Sequence, residues 1–526
     1  MRNLIGLVGL ALAMDGVAMA QATFTPIPNV SGQAASNGNG CAVTSQPRLS
    51  ADGRTVGFTS YIGGFSSGAV PYDYAIWTQN GGTEVIAPST SYGENFGWGI
   101  WGLSGDGTLA CGSNWIWRRV GGYQSLDSTL NAQFPSVGYS VLFGCSQDGS
   151  VLAGWREGTV GIPVGGGDYF RWQLPQSAPQ VLPRDAQHPE GYFTFNCVSG
   201  DGSVVGGQTY RTDATYGQTY AAALVTPAGT TLLTPESAGN ATILRDLSFN
   251  GSVAVGQVSL GGPLGGFGLE SFRWSAAGGL QVLPTPGTTS AANACDSAGN
   301  TVVGAYLNFG IGGTRAYVWR AGSGAIDLQD ELTSTYGLGS ALQGWTLLSA
   351  DDVSADGNVI VGTARNPSGC DQAYLVRFPL PGPASYCTAG TTSNGCNATL
   401  GWSGTPRASG AAGSFVLSCS GVEGQRQGLI FYGAQGRTAL PWGESSSFLC
   451  VRPPTQRSAT QPTLGTLGAC NGSFSFDPLL FAQANPTALG LPLQAGATLQ
   501  FQGWFRDPPS PKSTMLSNAV EVVFQP

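Results

Sequence analysis

The sequence predicts an all-β protein: a seven-bladed β-propeller closed by its own N-terminal strand, followed by a C-terminal β-sandwich. Three observations lead there. Glycine is abundant and charge is scarce, with 81 Gly, 32 Pro and 13 Trp among 526 residues and 10% of residues charged; that composition suits many short strands joined by turns. A tight-turn signature recurs seven times at near-constant spacing. The seventh repeat also lacks a last strand, which the start of the chain is able to supply.

The turns read SADGRTVGF from Ser50, SGDGTLACG from Ser104, SQDGSVLAG from Ser146, SGDGSVVGG from Ser199, SFNGSVAVG from Ser248, DSAGNTVVG from Asp296 and SADGNVIVG from Ser354. From Gly53 to Gly357 the six steps average about 51 residues, the length of a four-stranded propeller blade. Asp-Gly or Asn-Gly between alternating apolar runs predicts a hairpin in which both turn residues take positive φ. The aspartates are therefore turn formers before they are calcium ligands or catalysts, and Asn250 and Ala298 replace the carboxylate in two units.

An aromatic column follows each turn: Trp77, Trp117, Trp172, Trp274 and Trp319, with Val225 and Val376 in the remaining units. One large ring per repeat at one place predicts packing between blades rather than a ligand cage. Short closing strands such as TEVIAP, PQVLP and LQVLP end the units. After AYLVRF the seventh runs into Pro379-Leu380-Pro381-Gly382-Pro383 with no such strand, whereas Phe24-Thr25-Pro26-Ile27-Pro28 resembles the missing one. Pairing the two removes the free sheet edge.

These units resemble the extracellular HAF-repeat proteins over about residues 21–380. The best match is Ile326-Asp327-Leu328-Gln329-Asp330-Glu331-Leu332, then Gly344-Trp345-Thr346-Leu347, Val353 to Gly362 and Ala373-Tyr374-Leu375; the family's histidine is missing from every unit. The resemblance implies a propeller and brings no catalytic residue.

Residues 1–20 read as a secretory signal. Arg2 gives a positive start, Leu4 to Ala13 an apolar run interrupted only later by Asp15, and Ala18-Met19-Ala20 a cleavage site before Gln21. The protein is expected to be secreted or held at the cell surface. A net charge of −8 and a pI near 4.7 argue against a nucleic-acid partner, and no lysine-rich segment is present to hold an anionic membrane. No apolar run after the signal is long enough to span a bilayer.

In such blades the first-to-second and third-to-fourth turns share one face, which here is plain. The opposite face carries second-to-third loops and blade connections, which are long and varied. Candidate ligand-binding residues on it are Tyr92, Glu94, Trp98, Tyr139, Arg184, Asp185, Tyr192, Tyr210, Arg211, Tyr336 and Trp345, a mixture suited to stacking on sugars or docking a protein. No metal or cofactor is expected. His188 is the single histidine, no CxxC pair exists, and the glycine runs precede strands rather than helices.

Catalysis is not the favoured reading. Asp327 with Glu331, or Asp351-Asp352, are the carboxylate pairs available for glycoside chemistry, and adjacent residues of a strand point to opposite faces. A serine triad would have to use His188. The expected function is binding of a glycan or surface protein. A carbohydrate-active hydrolase or lyase, and a spacer presenting the C-terminal module, are the alternatives.

Residues 384–526 form the second domain, read from short strands such as GSFVLSCS, GLIFYG, SSFLCV, TLQFQGWF and AVEVVF. Eleven cysteines in an exported chain imply disulfides. Cys387 with Cys396, and Cys450 with Cys470, are the expected local pairs, leaving Cys419 for Cys370 or for none. The module resembles one that ends secreted and surface proteins of planctomycete-type bacteria, on Tyr386-Cys387-Thr388-Ala389, Ser393-Asn394-Gly395-Cys396, Gly428 to Gly433, Pro441-Trp442-Gly443, Phe448-Leu449-Cys450-Val451 and Trp504 to Pro509. That resemblance implies a role in sorting, attachment or shielding.

Overall fold

A computed structural model describes residues 22–30, 42–62, 72–87, 99–126, 129–130, 132, 140–157, 167–174, 178–184, 197–213, 217–233, 242–259, 268–287, 289–308, 313–379, 382–408, 410–444, 446–493 and 496–524. Its first 380 residues hold seven four-stranded antiparallel sheets. Six are sequential; blade 1, for example, runs Ala42–Leu49, Thr55–Ile62, Tyr72–Thr78, Gly82–Ala87. The first strand of every blade touches the first strand of the next, and the circuit returns from blade 7 to blade 1.

Blade 7 consists of Thr346–Val353, Val359–Arg365 and Asp371–Arg377, and its outer strand is Thr23–Pro26 from the other end of the chain. Phe24 pairs with Val376 and Thr25 with Leu375, as the sequence predicts. Ile27 continues the seam: its N–H donates to Ala373 O at 2.9 Å, its carbonyl accepts from Gln372 Nε2 at 2.9 Å, and its side chain is buried. The Phe24 ring lies 5.2 Å from Trp345 and 5.9 Å from Tyr374.

The seven turns share one construction with a different backbone from the expected one. Only the glycine takes positive φ, as at Gly53 (69°) and Gly149 (67°), while the residue before it stays on the negative side. The chain makes an ordinary turn closed by Gly53 N donating to Ser50 O and then one left-handed step, so a five-residue loop replaces a two-residue one. The serine and aspartate complete it. Ser146 Oγ donates to Asp148 and accepts from Val151 N, and Asp148 accepts from Ser150 N. Where Asp296 stands for the serine, its carboxylate accepts from the N–H groups of Ala298, Asn300 and Thr301.

Two other sequence signals have packing explanations. A glycine in the second strand faces a third-strand ring: Gly304 pairs with Tyr317, and a Cβ there would meet Ala291 O at 1.9 Å and the ring at 2.8 Å. Absence of a side chain lets the ring lie flat over the strand. The Tyr317 hydroxyl then donates to Ser271 Oγ of blade 5. The tryptophan column fills the seams between blades: Trp77 packs with Val359 and Leu375 of blade 7, and Trp319 with Val253 and Val255 of blade 5.

The C-terminal module is a sandwich. One sheet has the order Ala384–Tyr386, Thr514–Val523, Thr498–Arg506, Gln427–Gly433, Gln456–Arg457; the other comprises Thr399–Gly404, Phe415–Val422 and Gly472–Phe476. Ile430, Phe501 and Val520 from the first meet Leu417, Phe474 and Phe476 from the second. A hairpin, Arg437–Trp442 with Ser447–Val451, covers the outer face of the first sheet. The module touches the propeller at blade 7, where Gly496 lies against Asp356.

The cysteine pairing differs from the expected local loops. Cys387 bonds Cys450 and Cys396 bonds Cys470. The covering hairpin carries Cys450 back to the start of the module, where the Tyr386 hydroxyl donates to Cys450 O. The Cys396–Cys470 bridge ties loops of the second sheet. Cys370 is disulfide-bonded as well, and Cys419 is a buried free thiol.

Candidate functional site

The sheets converge on an axial channel, and much of the lining among the described residues comes from two sequence columns, two and three positions before each turn serine. In blades 1 to 7 the position two before the serine holds Arg48, Gly102, Gly144, Cys197, Asp246, Ala294 and Asp352. The position before that holds Pro47, Trp101, Phe143, Asn196, Arg245, Asn293 and Asp351. A β-bulge falls here in five blades, for instance between Leu244 and Asp246 and between Ala350 and Asp352. The extra residue breaks strand alternation, so neighbouring residues no longer point strictly apart. The reading of Asp351-Asp352 as an ordinary strand pair therefore fails at this bulge.

Two adjoining voids of about 110 and 120 Å³ follow the axis. The first is lined by Arg48, Arg245, Asp246 and Asp352 with Trp101 and Phe143; the second lies toward the turn face, bounded by Gln147, Phe249, Ser297 and Ala355. Four charged groups from three blades thus share one space. Gly102 and Gly144 add no side chain to it.

The carboxylates also clamp the ring. Asp246 of blade 5 accepts from Cys295 N of blade 6 at 2.9 Å, and Asp352 of blade 7 accepts from Leu49 N of blade 1 at 2.8 Å. Asn293 Nδ2 donates to Ala350 O across the seam between blades 6 and 7. Asp351 accepts from Ser349 and Thr363 within its own blade. Burial, and then the charge of Asp352, push the Asp246 carboxyl up to about 7, against its backbone hydrogen bonds and Arg48. Burial raises Asp351 and Asp352 too, with Arg48 opposing. Burial and repulsion from Arg48 lower Arg245, which is held by Gln257 Oε1 at 2.8 Å.

Arg48 Nε is buried without a hydrogen-bond partner among the described residues. The channel therefore offers a donor in want of an acceptor, beside an acid able to exchange a proton near neutral pH. It offers no activated nucleophile: burial, with the charge of Asp246 adding to it, drives the Cys197 and Cys295 thiols far up. Among the described residues no group of three or more His, Cys, Asp or Glu is placed to hold a metal ion.

The turn-face end of the channel is ringed by backbone hydrogen bonds from blade to blade. Asp52 N donates to Gly105 O, Gly105 N to Gln147 O, Gln147 N to Gly200 O, Asp201 N to Phe249 O, Phe249 N to Ser297 O, Ser297 N to Ala355 O and Ala355 N to Ala51 O. All seven seams are bonded. Gln147 Nε2 reaches Ser297 Oγ from blade 3 to blade 6 at 3.5 Å, and with Phe249 it fills the space over Gly200. The loop end of the channel has no such ring among the described residues.

The residues singled out in the sequence have mixed fates. Tyr92, Glu94, Trp98, Tyr139, Asp185 and Tyr192 lie outside the described residues, as does His188; Tyr210 and Arg211 are described only as backbone of the strand Val205–Asp213. Arg184 joins Arg156 on the buried carboxylate of Asp168, an ion-paired cluster at the base of a loop. Tyr336 packs on Phe378 and Trp345 on Phe24, so both stiffen the join between blades 6 and 7.

Asp327 caps the helix Leu328–Ser334 and accepts from Tyr306, both arms of Arg315 and Asp330 N, while Glu331 pairs with Arg320. That pair is structural. The second-to-third loop of blade 2 is also a tight Ser113-Asn114 turn, unlike the long loops expected on this face.

The sequence matches no family model and no curated protein sequence. Solved propellers do match in fold. The β-propeller domain of the trilobed protease from Pyrococcus furiosus shares 8% identity, covers 64% of this chain and 93% of its own, and gives a TM-score of 0.43. An oligogalacturonate lyase in complex with manganese shares 13%, covering 69% and 99%, with a TM-score of 0.42. The acylaminoacyl peptidase of Pyrococcus horikoshii shares 10% over 73% of this chain and 50% of its own, with a TM-score of 0.33. The likeness is one of architecture, and no activity transfers through it.

Proposed function

We propose that the protein is an exported binding protein of the cell surface or extracellular matrix, whose propeller takes a glycan or protein partner on its loop face. The observation that carries this reading is the asymmetry of the ring. The turn face is tied together by seven backbone hydrogen bonds and the Gln147–Ser297 contact, its loops are tight, and at blade 7 the C-terminal module touches it. The long, varied connections belong to the other side, where rigid scaffolds carry their recognition groups.

The disulfides and the signal-like first twenty residues support export, and no helix among the described residues is long and apolar enough to cross a membrane. The repeat pattern supports kinship with HAF-repeat proteins, and the C-terminal strings support kinship with surface-protein end modules.

A hydrolase or lyase is the second reading, favoured by one observation, the elevated acid Asp246 beside Asp352. Both carboxylates are already engaged as blade clamps, so binding is preferred. The test is capture by the chain from residue 21 onward on a glycan array and from envelope extracts, with product analysis of any bound glycan. Saturable capture without turnover supports the binding protein. Cleavage abolished by Asp246→Asn supports the enzyme, and no capture from either source refutes the first reading.

A further inference from the structure

Outside the propeller, the C-terminal module contains a second cavity, about 130 Å³, between the outer face of its larger sheet and the covering hairpin. Leu429 and Phe431 form its floor, Trp442 and Leu449 of the hairpin one wall, and Trp504 and Leu516 the other. Strand alternation explains the floor: Ile430 and Tyr432 point into the sandwich core, so Leu429 and Phe431 face outward, where a solvated sheet would carry polar residues. Two of the distinctive strings of the module, Pro441-Trp442-Gly443 and Trp504-Phe505-Arg506, are thereby brought to one place.

We propose that this cavity binds a small aryl carboxylate, the ring between the two tryptophans and the carboxylate at Arg457. Size sets the apolar part, because apolar cavities of roughly 150 Å³ take up benzene. Charge sets the rest. Arg457 is the single charged lining residue, and its exposed guanidinium makes no ion pair or hydrogen bond among the described residues. Lys512 stands 3.8 Å over the Trp442 ring and Arg506 stands 5.6 Å over Trp504, so each tryptophan wall carries a further cation.

A sugar does not fit this chemistry. It needs several hydrogen-bonding groups, and the lining side chains offer only Thr455, Arg457 and the Trp504 indole N–H, the Trp442 indole being spent on Thr514 Oγ1.

Calorimetric titration of the full chain from residue 21 with 3-phenylpropionate tests the proposal, with 3-phenylpropanamide as the uncharged comparison. A saturable one-to-one isotherm with Kd of about 1 mM or below is expected. The amide should bind about tenfold more weakly, as should the acid to Arg457→Glu. Leu449→Phe, which fills the cavity from the hairpin, should abolish binding while circular dichroism and the thermal midpoint stay near those of the parent. Absence of heat at 10-fold that concentration of acid overturns the proposal. So does equal affinity for acid and amide, or undiminished binding by a folded Leu449→Phe variant. None of these outcomes depends on what the propeller binds.

Discussion

Replacing Asp246 with asparagine keeps an oxygen to accept from Cys295 N and removes the charge from the channel. The native state holds this carboxyl's proton up to about pH 7, whereas an ordinary aspartate releases it near 3.8. Between those values the unfolded chain binds fewer protons than the folded one, so stability falls as pH rises through the window. Fully realised, the difference is a ceiling of roughly 4 kcal/mol at pH 8. Water reaching the channel screens it, and about 1–2 kcal/mol is the expected gain for the variant there. Near pH 4 the two proteins should be alike. Urea denaturation followed by tryptophan fluorescence at pH 4 and pH 8 makes the comparison. A variant less stable than the parent at pH 8 would show that Arg48 more than compensates the charge, and the reasoning about the channel would be wrong.

Phe24→Ala should destabilise the propeller by about 2 kcal/mol in the same denaturation experiment, because it removes ring contacts to Trp345 and Tyr374 at the closing seam. Ser146→Ala takes the hydroxyl from a buried turn and strands Val151 N, costing about 1–2 kcal/mol, while the same change at half-buried Ser150, whose hydroxyl makes only an exposed bond to Asp148, should cost less than half of that. Breaking Cys396–Cys470, which spans 74 residues, should lower the stability of the C-terminal module by about 3–4 kcal/mol, read as earlier proteolysis of that module on heating.

The ring was legible because its signals are local. A glycine that must take positive φ recurs in every blade, a serine-aspartate pair that accepts backbone N–H groups recurs in five of the seven, and Thr23–Pro26 is recognisable by its likeness to the other closing strands. The turn type was not, since Asp-Gly serves a two-residue and a five-residue loop alike. The channel was missed although its residues stand in the aligned repeats. Arg48, Asp246 and Asp352 occupy one column two positions before the turn serine, and reading downstream from the serine passes over it. Nothing short of the bulges reveals that Asp351 and Asp352 depart from simple alternation. Disulfide pairing depends on which loops the sandwich brings together, and Cys450 travels to Cys387 on a hairpin whose docking no spacing encodes. Tyr336 and Trp345 looked like recognition aromatics because composition cannot separate a ring that stacks on a partner from one that stacks on Phe378 or Phe24.

The central claim, that recognition belongs to the loop face and architecture to the turn face, is tested most directly by two variants of the full chain in one capture assay. One replaces Tyr92, Glu94 and Trp98 by alanine. The other places glutamate at Val120, which is 91% exposed in a turn on the opposite face. Glycan or envelope-protein capture should fall at least tenfold in the first and stay unchanged in the second. Capture lost with Val120→Glu and retained by the triple variant would contradict the account.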